Sequence, residues 1–84
     1  MSAPHYVPYR SEGDLGTWEF STPLEVRAGF LTEAAAQERA VSVHRYDRML
    51  AEAAAQGLRK GKGPHARRLL AYFQQEAETQ EVGL

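Results

Sequence analysis

The sequence predicts an α+β domain: a three-stranded antiparallel sheet packed by a long helix and followed by a second, C-terminal helix. Two features carry this reading. Apolar residues recur with period two between residues 5 and 30, and after Phe30 they recur at spacings of three and four. The dipeptide Gly63-Pro64 then opens a second helical pattern, because proline at the first helical position loses nothing by lacking an N–H.

Each element has its own signal. Tyr6 to Ser11 reads as a first strand with Val7 and Tyr9 on the buried face, held to an edge position by Pro8, which cannot donate to a ladder. Glu12-Gly13-Asp14-Leu15-Gly16 supplies turn residues, and Trp18 and Phe20 flank Glu19 in a second strand. Ser21-Thr22-Pro23 interrupts the pattern before the clearest strand, Leu24 to Phe30, whose alternation places Leu24, Val26, Ala28 and Phe30 on one face. A helix over 32–57 begins at Thr32 as cap, with Glu33 on the positive end of its dipole, and ends at Gly57. Its apolar stripe is Ala36, Ala40, Val43, Tyr46, Leu50, Ala53 and Ala54, and its alanines allow close approach to a sheet. A basic loop over 58–63 precedes the second helix, 64–80, with stripe Ala66, Leu69, Leu70, Phe73 and Ala77. Residues 1–4 read as a flexible N-terminus. The pentapeptide Glu-Ala-Ala-Ala-Gln occurs at 33–37 and 52–56, both copies in one helix of strong helix formers, which is composition rather than a repeat architecture.

At 84 residues the chain reads as one small domain, 1–84, burying only about 60–65% of its unfolded surface. A hydrophobic fraction of 43% with 25% charged residues is that of a folded chain with a thin core, a monomer or small homo-oligomer. With no cysteine there is no disulfide framework and no thiolate zinc site, which fits a reducing, cytoplasmic setting. No leader pattern opens the sequence, and no window reaches the roughly 18 apolar residues of a membrane span, so no membrane contact is expected.

The residues offer little for catalysis, and the chain reads as a non-enzyme. His5, His44 and His65 are scattered, and none has a second ligand type at metal-site spacing except Asp47, three residues after His44. The His44 and Asp47 pair reads as solvent-facing, so no metal and no cofactor are expected. Phosphate-loop, dinucleotide and nucleophile-elbow motifs are lacking. Charge patterning says more. The net charge is −1, but Arg59, Lys60, Lys62, Arg67 and Arg68 fall together with His65 in a segment without acids. They lead into a helix N-terminus whose free N–H groups also attract anions. Cations there oppose the helix dipole, a local conflict of the kind that marks function. This is a candidate site for nucleic acid, phosphate or an acidic partner, which Arg45 and Arg48 of the first helix could extend. A second candidate is the outer face of the sheet: with Trp18, Phe20, Leu24, Val26 and Phe30 inward, Glu19, Glu25 and Arg27 point out beside Tyr6, a mildly acidic surface suited to protein. Tyr72, off the apolar stripe of the last helix, reads as an exposed contact.

The order of three strands and a helix, with Gly29-Phe30-Leu31-Thr32 leading into Glu33-Ala34-Ala35-Ala36, resembles AP2-like and arm-type integrase DNA-binding modules over residues 5–56. That resemblance implies the fold. It does not carry the activity, because such modules read DNA with the exposed sheet face, where this chain has Glu19 and Glu25. In size, lack of cysteine and asymmetric charge the chain is also similar to small phage and mobile-element inhibitors such as anti-CRISPR proteins. Those proteins cover a partner's surface, and a chain of this size can offer the roughly 800 Å² per side of a standard interface. The sequence therefore leads to a protein-binding inhibitor or regulator of a protein or nucleoprotein complex. Nucleic-acid binding through residues 59–68 is the alternative.

Overall fold

A computed structural model describes residues 4–13 and 16–82, with side chains described as far as residue 77. The flexible start expected for residues 1–3, and Asp14 and Leu15 of the first turn, lie outside the described residues. The chain shows the expected α+β order: strands β1 (Tyr9–Arg10), β2 (Trp18–Ser21) and β3 (Val26–Phe30), helix α1 (Glu33–Ala55), a 3-10 turn (Arg59–Gly61) and helix α2 (Pro64–Val82). The sheet is antiparallel in the order β1-β2-β3. Two compact units divide the chain, Met1–Arg45 and Tyr46–Leu84, with the boundary inside α1. Among the described residues no helix is long and apolar enough to cross a membrane.

In the first unit, β1 is shorter than expected. Its lead-in is held instead by the Tyr6 amide, which donates to the Ser21 carbonyl at 2.8 Å, with Tyr6 at a positive φ of 66°. β3 starts at Val26 rather than Leu24 because Thr22 builds a tight turn. The Thr22 hydroxyl accepts from the amides of Leu24 and Glu25 at 3.1 and 3.0 Å, and the Thr22 amide donates to the Glu25 carbonyl at 2.7 Å. Side chains of Ser and Thr commonly bond the backbone of turns in this way.

The alternation expected along β3 fails at one point. Trp18 pairs with Phe30 and Phe20 with Arg27, so Glu19 faces two residues, Ala28 and Gly29, in a β-bulge. Gly29 takes φ 92°, which glycine adopts at no steric cost. The extra residue reverses the facing of everything before it. Phe30 stays with Trp18 and Phe20 on the buried side, while Val26 turns outward and is 58% exposed. Arg27 comes to the side of Phe20, since directly opposed residues share a face. Phe20 is fully buried and its ring stacks on Phe30 with centroids 5.6 Å apart; on α1, Ala36 and Ala40 are buried in the same unit.

α1 starts as expected. The Thr32 hydroxyl accepts from the Ala35 amide at 3.1 Å, satisfying one of the free N–H groups of the first turn. Its end is a Schellman cap: Gly57, at φ 73°, donates to the Ala54 carbonyl, and Leu58 donates to the Ala53 carbonyl at 2.9 Å. The buried seam of α1 differs from the expected stripe. It runs through Ala36, Ala40, His44, Asp47 and Ala51, with Asp47 only 5% exposed, and leaves Tyr46 exposed. His44 is therefore not solvent-facing: it is half-buried, and the edge of one ring meets the face of the other where it packs on Tyr6, centroids 4.8 Å apart. In the second unit, α2 buries Ala66 and Leu69 and half-buries Leu70 and Phe73, as its stripe predicts, whereas Ala77 is exposed.

Candidate cationic surface

The sheet face proposed from sequence does not assemble. Glu19 lies on the outer face with Tyr9, whose hydroxyl donates to it at 2.7 Å. Glu25 is exposed in the turn and ion-paired with Arg27 at 2.9 Å, and Tyr6 packs on His44 of α1. The Ser11 hydroxyl, and next the Tyr9 phenol, hold the Glu19 carboxyl below its usual range. The same hydrogen bond, aided by slight burial and by the carboxylate charge, raises the Tyr9 phenol. Tyr9 and Glu19 are therefore partners of each other on this face. Val7, expected inside with Tyr9, is exposed.

The cationic segment is different, because the structure turns an expected loose loop into a fixed one. Leu58 is committed to the Schellman cap, the Gly61 amide donates to the Leu58 carbonyl at 2.9 Å, and the Lys62 amide donates to the Arg59 carbonyl at 3.3 Å. Gly61 is buried against the end of α1. A Cβ placed on it would lie within hard-contact distance of the Ala54 nitrogen and the Ala53 carbonyl carbon, so no other residue fits. Pro64 then opens α2, and the Gly63 carbonyl accepts from the Arg67 amide at 3.3 Å. Arg59, Lys60, Lys62, His65, Arg67 and Arg68 are all exposed on this scaffold. None of its Lys or Arg side chains is ion-paired among the described residues. No Asp or Glu occurs between Glu52 and Glu76, so no acid within the segment compensates them.

Arg48 and Arg45, expected to extend the patch, are both exposed on α1. At about 100° per residue, Arg48 lies on the side of α1 away from Ala53 and Ala54, where Gly61 sits. Its guanidinium instead lies over the Phe73 ring, 5.6 Å from the centroid, at the edge of a shallow cleft of about 360 Å³ formed with Ala51, Ala55 and Leu70. Arg45 belongs to the first unit. The patch is thus the turn and the start of α2.

Tyr72 is half-buried rather than an exposed contact, and its hydroxyl donates to Glu76 at 2.9 Å. Burial first, and then that bond, push its phenol up to about 12. The folded state holds the proton more tightly than the unfolded state does, so the contribution of Tyr72 to stability is complete below pH ~10 and is lost as pH rises toward 12. In a titration followed by phenolate absorbance, the amplitude lost in Tyr72→Phe lies near pH 12. Loss of that amplitude near pH 10 instead would show that burial and the Glu76 bond do not raise the Tyr72 phenol.

Among the described residues no group of three or more His, Asp or Glu side chains is placed to hold a metal ion. No protein-family model, curated protein or solved structure matches the chain.

Proposed function

We propose that this protein is a non-enzymatic binding module, an inhibitor or regulator in the manner of small phage inhibitors, that covers an acidic surface of a protein partner with the turn and helix start at residues 59–68. One observation carries the reading: uncompensated cations are held on a backbone that Gly61 locks against α1. Order before binding removes much of the entropy cost that a flexible basic loop would bear on association. Fixed charges also speed encounter with an oppositely charged surface.

Nucleic acid is the competing partner. The patch is small, and no Phe, Tyr or Trp occurs among residues 58–68, so no such ring is interleaved with the cations for base stacking. The test compares wild type with Arg59→Glu/Lys60→Glu/Lys62→Glu in two assays: capture of partners from nuclease-treated extract, and anisotropy of labelled DNA and RNA at about 50 and 200 mM salt. A protein captured by wild type and lost in the variant is the expected result. Tight nucleic-acid binding that weakens steeply with salt and vanishes in the variant would replace this reading with the nucleic-acid one.

A further inference from the structure

The cationic turn does not stand alone on its side of the second unit. Tyr46, Met49 and Leu58 are large apolar side chains that stay 57, 46 and 47% exposed. Tyr46 and Met49 are one helical turn apart and Ala53 follows four residues on, which aligns them in one row along α1. The Schellman bond from Leu58 to the Ala53 carbonyl brings Leu58 to the end of that row. Arg59 and Lys60 follow immediately, both exposed. The row from Tyr46 to Ala53 spans about 10 Å at 1.5 Å per residue, two helical turns, and ends in positive charge.

From this juxtaposition we infer that the partner presents an acidic amphipathic helix: its apolar side chains seat on Tyr46, Met49 and Leu58, and its carboxylates meet Arg59 and Lys60. The inference rests on the proposed function and names the chemistry of its partner. Nucleic acid matches the charges and has bases to stack on Tyr46, but it leaves the aliphatic Met49 and Leu58 without a partner. An anionic membrane would need a broader apolar face with aromatic and leucine side chains than these three residues supply. A helix of the partner repeats its own side chains every turn, in step with Tyr46 and Met49.

The test uses the full chain and fluorescein-labelled peptides of about 18 residues. One is a glutamate-rich helix with leucines at helical spacing; the other has the same charge with every leucine replaced by glutamine. Double-stranded DNA and vesicles containing phosphatidylserine complete the panel. The leucine peptide binds about tenfold or more tightly than the glutamine peptide. In Met49→Ser/Leu58→Ser that advantage falls to about twofold or less, and Tyr46→Ser reproduces part of the loss. All three positions are exposed, and unchanged circular dichroism confirms folding. Equal binding of the two peptides, an advantage that survives the serine variants, or tighter binding of DNA or vesicles overturns the inference. Arg59→Glu/Lys60→Glu separates the two levels. If it weakens both peptides while they bind wild type equally, the cationic surface stands and the apolar row does not; if it weakens neither, the proposed function itself fails.

Discussion

Gly61→Ala lowers the melting temperature by about 8–24 °C, from a cost of about 2–3 kcal/mol at roughly 4–8 °C per kcal/mol for a domain of this size. The added methyl group would overlap the Ala54 nitrogen and the Ala53 carbonyl carbon. Both are backbone atoms of a hydrogen-bonded helix end, so no side-chain rotation relieves the overlap. The turn must lift away, which breaks the bond between Gly61 and Leu58 and undoes the ordering of Arg59, Lys60 and Lys62. The substitution therefore weakens binding without touching a charge. Two neighbouring glycines serve as comparisons. A methyl group on Gly63 would have no atom within 4 Å, and Gly63→Ser, which adds a helix-capping hydroxyl, leaves stability within about 0.5 kcal/mol. Gly57 is unobstructed but left-handed, so Gly57→Ala costs about 1–2 kcal/mol through backbone strain alone. Gly61→Ala melting with wild type would mean that the turn is not seated on α1.

Glycine 61 also shows where sequence reading stops. A cap has a local grammar, and Thr32, Gly57 and Pro64 are legible because the groups they satisfy lie within four residues of them. Close approach has no such grammar: among Gly57, Gly61 and Gly63, only the packed chain singles out the one with helix backbone beneath it. The bulge at Ala28–Gly29 is a similar case. The alternation from Leu24 to Phe30 is regular in sequence, and Gly29 is the sole hint that two residues oppose Glu19, yet that insertion moves Arg27 and Val26 to opposite sides from those expected. On α1 the alanines at 36, 40, 51, 53 and 54 cover so wide an arc that they admit several seams. The seam adopted takes in His44 and Asp47, which no hydrophobic pattern would choose. The cationic cluster is legible as composition. Its rigidity, and the apolar row beside it, are not, because helical spacing assigns Tyr46 to the core.

Phe20→Ala has the larger expected cost, about 3–5 kcal/mol, the range for removing a fully buried aromatic side chain. That is a large part of the roughly 4–13 kcal/mol that 0.05–0.15 kcal/mol per residue allows a chain of this length. Among the described residues Phe20 and Leu69 are the two largest fully buried side chains, and of these the first unit contains Phe20. Phe30 is in ring contact with it, and a methyl group cannot reach across the space a phenyl ring leaves. The sheet has no other large, fully buried residue to collapse on among the described residues. Phe30→Leu, at a half-buried position, keeps most of the volume and costs about 1 kcal/mol. Trp18, the single tryptophan, lies beside these rings on β2, so its fluorescence in a urea titration reads the first unit directly. The expected series has its midpoint falling slightly for Phe30→Leu and far for Phe20→Ala, with the folded baseline shortened or gone in the latter. A Phe20→Ala midpoint no lower than that of Phe30→Leu would place the centre of the first unit elsewhere. The proposed binding surface lies in the second unit, so Phe20→Ala that still binds the leucine peptide would show that residues 46–84 keep their structure when the sheet is lost.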